Sequence, residues 1–189
     1  MTNSSIVLMS DRRVAAIPVQ ERGEVLLDAG VHGLRVDDRK QDAAGAWAHV
    51  CRGVLKRLQQ AQALLPGGVQ LLFIEGYRPR PCSAGTSKSS PTSSRARPDW
   101  QAAELGEAAS RFVSPPEIAP YSAGAAVDVT LIGHQGRELD MGTRVNASPE
   151  ESEGACYTDA PNLSARGRTN RATLGGALST AGLINCGTE

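Results

Sequence analysis

Three side chains in this sequence stand out as candidates for hydrolysis or metal binding. Arg78 follows the apolar run 69–76 and stands between an aromatic residue and a proline, so its guanidinium could bind a carboxylate or a developing oxyanion. Asp128 lies within AAVDVTLI, where a buried carboxylate is costly unless it is paired or bound to a metal. Glu189, the last residue of the sequence, is a further carboxylate.

Each of the three positions has an ordinary alternative. Arg78 is compatible with a surface arginine at the end of a strand. Asp128 is compatible with the solvent face of an amphipathic strand, and Glu189 with a solvated, frayed terminus. Taken one at a time, the residues do not decide between a site and a surface.

The elements that must position these residues are predicted from hydrophobic periodicity. Helical spacing of apolar residues predicts a helix over 43–65, which Pro66 and two glycines end. The β-branched and apolar run VQLLFIEG predicts a strand over 69–76, and VLLDAG allows a short first strand at Leu26–Asp28. Val127–Ile132 is predicted as a further strand, followed by a hairpin turn in GHQGRELD.

The remaining segments differ in character. Residues 81–98 are crowded with Ser, Pro and Thr, which predicts a loop without regular structure. A helix is predicted for 99–113, and small residues at 122–126 should allow close backbone packing. Residues 141–164 are turn-rich, a last helix is predicted for 169–181, and a final strand could begin at 183–186. Because strands and helices do not alternate strictly, we predict a single α+β domain with a small antiparallel sheet and flanking helices.

Composition excludes several classes of function. The chain of 189 residues carries 20 Lys and Arg against 20 Asp and Glu, so no basic surface indicates nucleic acid. No apolar run approaches the length of a membrane span, and the N-terminus is a poor signal peptide. We therefore expect a cytoplasmic protein with no nucleic-acid partner and no membrane partner. The four cysteines form no C-x-x-C pair, and we expect free thiols.

An ordered set of short motifs resembles the zinc D-alanyl-D-alanine dipeptidases, the family of the glycopeptide-resistance dipeptidase. The set comprises G-Y-R-P, A-x-D-V-T-L, D-M-G-T, N-R-x-x-L and G-L-I-N-x-x-x-E, in that order. It runs from about Leu34 to Glu189 and fails only in the Ser-rich segment. The resemblance implies a D,D-peptidase-like fold and one Zn²⁺. It also implies hydrolysis of a small D,D-dipeptide, D-alanyl-D-alanine, by a zinc-activated water.

The same resemblance implies roles for individual residues. Asp128 matches a metal ligand of the signature S-x-H-x-x-G-x-A-x-D, whereas Tyr121 stands where that signature has its ligand histidine. Glu189 matches the general base and acid in E-x-x-H, and the sequence ends before the third metal ligand. Arg78 matches the arginine that stabilises the oxyanion. A catalytic zinc needs about three protein ligands, so we expect zinc affinity to fall by orders of magnitude here.

Three interpretations follow from this comparison. The chain is an active zinc dipeptidase, or a catalytically inactive relative that binds a dipeptide or a protein, or a non-functional gene product. The last interpretation rests on the Ser-rich segment. If GC-rich codons are chosen for residues 81–94, the same bases read in a shifted frame encode an amphipathic helix. The substitution at Tyr121 and the end of the sequence at Glu189 favour the second or the third.

Overall fold

A computed structural model describes residues 22–79 and 120–187, together with Arg13 and Ala16. These residues form a small α+β fold, as the sequence predicts. Two helices and two small sheets make up the part that the structure describes. The Ser-rich segment 81–98, the predicted helix 99–113 and Glu189 lie outside the described residues. Within them, neither helix has the length and apolar character needed to cross a bilayer.

The first helix is shorter than its apolar periodicity predicts. Helix α1 spans Arg52–Leu64 rather than 43–65. Its predicted first turns are instead a turn around Asp42, whose carboxylate accepts backbone N–H groups of the residues that follow, and a 3₁₀ turn at Ala46–Ala48. Gly45 has a left-handed φ of 69°, which interrupts any continuous helix there. The apolar residues just before α1 therefore belong to a strand and not to the helix.

Two small sheets carry the strands. Strand β1 (Leu26–Asp28) pairs antiparallel with β3 (His49–Cys51), and the latter passes directly into α1. The second sheet has the order β2-β4-β5, with bounds Arg35–Val36, Gln70–Glu75 and Asp128–Ile132. Strand β4 is parallel to β2 and antiparallel to β5. The prediction of a small antiparallel sheet is confirmed in part, since β1–β3 and β4–β5 are antiparallel pairs. Strand β2, which is too short to be recognised as a strand from sequence, adds a parallel pair.

Strand β4 is the centre of the molecule, and five of its six residues are buried. One face of the three-stranded sheet contacts the apolar side of α1, and the other holds a smaller cluster. The main core includes Val54, Leu55, Leu58, Leu71, Phe73, Leu131 and Leu174. Burial on both faces explains why β4 reads as a continuous apolar run rather than an alternating one.

Helix α2 spans Ala165–Thr180, four residues longer at its start than predicted. Ser164 caps it, since the Ser164 Oγ accepts the backbone N–H of Gly167 at 2.9 Å. The end predicted for this helix, at residue 181, is confirmed to within one residue. Gly182 has a φ of 82°, and the next residue, Leu183, donates its N–H to the carbonyl of Leu178. The final strand predicted for 183–186 does not form, because Leu183 is bonded back to the helix and the segment after it pairs with no strand among the described residues.

The prediction of an irregular segment between β5 and α2 is confirmed. The turn after β5 closes with a bridge between Ile132 and Glu138, and the chain then runs through successive turns to α2. Arg171 of α2 organises this segment from one side. Its guanidinium donates to backbone carbonyls of Met141 at 2.6 Å, Tyr157 at 2.6 Å and Ala155 at 2.8 Å.

Replacing Arg171 should therefore destabilise the whole C-terminal half. Arg171→Met keeps much of the aliphatic stem but leaves several partly buried carbonyls without donors, so we expect the free energy of unfolding to fall by about 3 kcal/mol. Urea denaturation measures this change, with Arg166→Met, at an exposed position of the same helix, as the matched control. Equal stability of the two variants would contradict the organising role of Arg171.

Candidate functional site

The candidate site lies where β4 ends and β5 begins. Because the two strands are antiparallel, the last residue of one faces the first residue of the other, and Glu75 pairs in register with Asp128. An irregularity in the pairing between Phe73 and Glu75 shifts the end of β4 by one residue. Two carboxylates from distant parts of the sequence are thereby placed side by side at one edge of the sheet.

A close backbone approach fixes the chain immediately after Glu75. A Cβ on Gly76 would lie 2.3 Å from the carbonyl oxygen of His49, so only glycine fits at this position. The neighbouring N–H of Tyr77 donates to the same His49 oxygen at 2.6 Å. The turn leading to Arg78 therefore packs directly against strand β3.

A second close approach positions Tyr121. It lies in the 3₁₀ turn Pro120–Ala123, which ends at Gly124 with a φ of 65°. A Cβ on Gly124 would lie 2.4 Å from a methyl carbon of Leu26, and the Gly124 carbonyl accepts the N–H of Cys51 at 2.9 Å. This confirms the prediction that the small residues there allow close packing. The Tyr121 carbonyl, in turn, accepts the backbone N–H of Arg78 at 3.1 Å.

The side chains of the site meet around the Tyr121 ring. The Tyr121 hydroxyl donates a hydrogen bond to Oδ1 of Asp128 at 2.6 Å. The guanidinium of Arg78 lies over the same ring, 5.0 Å from its centroid, which is within the range of a cation–π interaction. Tyr121 thus contacts both of the predicted site residues that the structure describes, one through its ring and the other through its hydroxyl.

Glu75 holds Arg78 in this orientation. Its Oε1 accepts a hydrogen bond from Nε of Arg78 at 2.9 Å and lies 2.9 Å from Nη2 in the same ion pair. This ion pair raises the pKa of the arginine above its ordinary value, so Arg78 is cationic at every accessible pH. The Arg78 side chain remains 49% exposed, whereas that of Glu75 is only 9% exposed. The buried carboxylate of Glu75 therefore orients the guanidinium of Arg78, which is half exposed at the surface.

Burial raises the pKa of the Asp128 carboxyl above its ordinary value. The hydrogen bond from Tyr121 opposes that shift, and the negative charge of Glu75 reinforces it. The cations Lys40 and Arg78 both favour the ionised form of Asp128. The carboxylate is thus neither on an open solvent face nor fully enclosed, and its charge depends on the groups around it.

Sequence reasoning identified only part of this cluster. The structure brings Arg78, Asp128 and Tyr121 together, while Glu189 lies outside the described residues. Glu75 and Lys40 were missed. The signal for Glu75 was a carboxylate at the end of a run of buried residues, as for Asp128. Nothing in the sequence around Lys40 indicated its place.

The histidines are distributed as single residues. His49 lies on strand β3 and not on the long helix where the sequence predicts it, and its Nδ1 is 2.9 Å from the Gly45 carbonyl oxygen. His134 is exposed in the turn after β5. His32 is exposed, with its Nδ1 2.8 Å from the carbonyl oxygen of Asp28.

A catalytic zinc requires about three protein ligands and an open position for water. Of the ligands implied by the family resemblance, the described residues supply Asp128, and its Oδ1 already accepts the Tyr121 hydroxyl. No group of three or more His, Cys, Asp or Glu side chains suited to a metal occurs within residues 22–79 and 120–187. The described residues do not by themselves fit a catalytic zinc centre.

Comparisons of the chain with models of known protein families and with curated proteins find no match. The likeness to the dipeptidases therefore rests on the short motifs of the sequence.

The raised pKa of Asp128 predicts how stability depends on pH. Because the folded state holds the Asp128 proton more tightly than the unfolded chain does, its contribution to stability is greatest below the ordinary pKa of 3.8. It is lost as the pH rises from there through the folded-state pKa. Asp128→Asn has no such proton and keeps an oxygen that can accept from Tyr121.

We therefore expect the free energy of unfolding of the wild-type protein, relative to Asp128→Asn, to decrease with increasing pH. Urea denaturation at intervals between about pH 3 and about pH 7 measures it. Asp159→Asn, at an exposed loop position, is the control. A difference that increases with pH would show that Asp128 is stabilised as the anion, contrary to this assignment.

Proposed function

We propose that this chain has a D-alanyl-D-alanine dipeptidase-like fold and site, and that, with the sequence it has, it binds a short D,D-dipeptide without hydrolysing it. The observation that carries the proposal is that Arg78 and Asp128 both contact Tyr121, the former over its ring and the latter at its hydroxyl. Their motifs are separated by about 50 residues of sequence, much of which lies outside the described residues.

The charges of the cluster match those of a free dipeptide. Arg78 is fixed by Glu75 through Nε and Nη2, and its Nη1 makes no hydrogen bond to the described residues, so this group is free to bind a carboxylate. Asp128 is a carboxylate at the same edge and suits an ammonium group. A zwitterion carries one group of each kind. The cluster of Arg78, Lys40, Glu75 and Asp128 has two charges of each sign, so it accommodates a zwitterion without a net charge being buried.

The contact between Tyr121 and Asp128 is what favours binding over hydrolysis. At 2.6 Å the phenol is a hydrogen-bond donor to the oxygen that a metal would need. A phenol has an ordinary pKa of about 10, so it remains protonated at neutral pH unless a metal is already bound. Tyr121 therefore satisfies Asp128 by hydrogen bonding, in the position that a ligand histidine would occupy in the family.

Hydrolysis of D-alanyl-D-alanine by a zinc-activated water is the second candidate function. It is favoured by the proximity of Asp128, the implied metal ligand, to Arg78, the implied oxyanion-stabilising residue. In that case Glu189 would serve as general base and acid. The remaining zinc ligands would have to come from residues outside those described.

Zinc stoichiometry on the purified chain, with dipeptide hydrolysis assayed on the same sample, separates the two candidates. We expect zinc far below one equivalent and no turnover. Approximately one zinc per chain together with turnover would establish the hydrolytic function and refute the proposal of binding alone. Tyr121→His supplies a nitrogen donor beside Asp128, and we expect it to increase zinc binding over the wild-type chain.

Binding itself is tested by calorimetric titration of the full chain with D-alanyl-D-alanine. Arg78→Met should weaken binding by about tenfold or more, because it removes a charge-assisted hydrogen bond to the ligand carboxylate. Arg52→Met, at an exposed position at the start of α1, is the matched control and should bind like the wild-type protein.

Loss of affinity in both arginine variants would refute a specific role for Arg78. Absence of binding by the wild-type chain, with a broad and uncooperative thermal transition, would favour a non-functional gene product over a binding protein.

A further inference from the structure

We propose that Lys40 and Arg78 together form a subsite for a ligand carboxylate, with Glu75 as the buried residue that positions both cations. Lys40 comes from the segment between β2 and β3, and no motif of the sequence includes it. The inference rests on the proposed function for the identity of the ligand, whose C-terminal carboxylate would occupy the subsite.

Glu75 interacts with the two cations through different oxygens. Its Oε1 accepts the hydrogen bond from Nε of Arg78 and lies 2.9 Å from Nη2 of the same guanidinium, and its Oε2 lies 3.8 Å from Nζ of Lys40. The residue is 7% exposed, and Oε2 is buried without a hydrogen-bond donor among the described residues. A buried carboxylate of this kind needs positive charge nearby, and these two side chains supply it.

Neither cation is saturated by this arrangement. A separation of 3.8 Å is an ionic contact but is longer than a hydrogen bond, so Lys40 directs no N–H at Glu75 in bonding geometry. Lys40 donates no hydrogen bond to any residue in the described ranges, and its side chain is 32% exposed. An ammonium has three donors and a guanidinium five, and both groups therefore retain donors for a ligand.

The charge balance favours an anion at this point. Glu75 contributes one negative charge, whereas Lys40 and Arg78 contribute two positive charges. These three residues together therefore carry one net positive charge. Asp128 is the other anion in reach, and it is hydrogen-bonded to Tyr121 rather than to either cation. A carboxylate placed between Lys40 and Arg78 would neutralise the excess, and the ammonium end of the same ligand would then be directed toward Asp128.

Calorimetric titrations of the full chain with three probes test this subsite. The probes are D-alanyl-D-alanine, its C-terminal amide, and N-acetyl-D-alanine, which has a carboxylate but no ammonium group. We expect Lys40→Met to weaken binding of the two carboxylates by about tenfold and to leave binding of the amide unchanged. Lys40→Arg should restore most of the affinity, because it restores the charge.

Lys56→Met, at an exposed position on α1, is the matched control and should bind all three probes like the wild-type chain. An unchanged affinity for the carboxylates in Lys40→Met would overturn the subsite and leave the dipeptide-binding function standing. An equal loss for acid and amide would also overturn it, since Lys40 would then act through the fold.

The other outcomes separate the subsite from the proposed function. If the wild-type chain binds N-acetyl-D-alanine in a Lys40-dependent manner but not D-alanyl-D-alanine, the carboxylate subsite stands and the dipeptide function fails. If the wild-type chain binds neither carboxylate, both are refuted.

Discussion

The burial of one carboxylate, that of Glu75, determines the arrangement of the candidate site. A charge removed from water at the end of a central strand is tolerated only beside opposite charge and hydrogen-bond donors. Arg78 supplies a hydrogen-bond donor and a positive charge from the turn that follows, and Lys40 supplies a second positive charge from a different segment. Asp128, paired across the strands with Glu75, must then share the same small region. Burial in this region and the nearby charge of Glu75 raise the pKa of Asp128, and Tyr121 supplies its hydrogen bond.

The backbone around this carboxylate is held by two approaches too close for any side chain. Gly76 lies against the carbonyl of His49, and Gly124 lies against Leu26. Both contacts use the small antiparallel pair β1–β3 as a support for the larger sheet. The site therefore lies where the two sheets meet. The two turns that form it, at Gly76 and Gly124, both pack against the pair β1–β3. Such rigidity suits a site that must hold a cation and an anion at a fixed separation.

Arg171, an arginine outside the candidate site, has a different kind of partner. It also lies in a partly buried position, but its partners are backbone carbonyls of a long irregular segment rather than a carboxylate. One guanidinium has five donors in a planar fork and can therefore order several turns at once. The contrast explains why Arg171 has a structural role, whereas Arg78, with its single carboxylate partner and half-exposed side chain, remains available to a ligand.

A surface cavity lined by described residues lies away from this chemistry. It has a volume of about 390 Å³ and is found near the start of β4, at the opposite end of that strand from Glu75. Its lining residues are Gly33, Leu34, Arg35, Gln62, Gln70 and Leu71. The candidate site is an open edge rather than a cavity, and it is recognised by its charges and hydrogen bonds.

The sequence by itself determined the α+β class, the buried strand that precedes Arg78, the strand that begins near Asp128 and the end of the last helix at Gly182. These follow from local signals, namely apolar runs and glycine, which act over a few residues. Only the tertiary structure decided that His49 belongs to a strand, that β2 pairs in parallel with β4, and that Lys40 and Glu75 join the site. Those features depend on contacts between distant segments and on two-residue or three-residue strands, for which periodicity carries no signal.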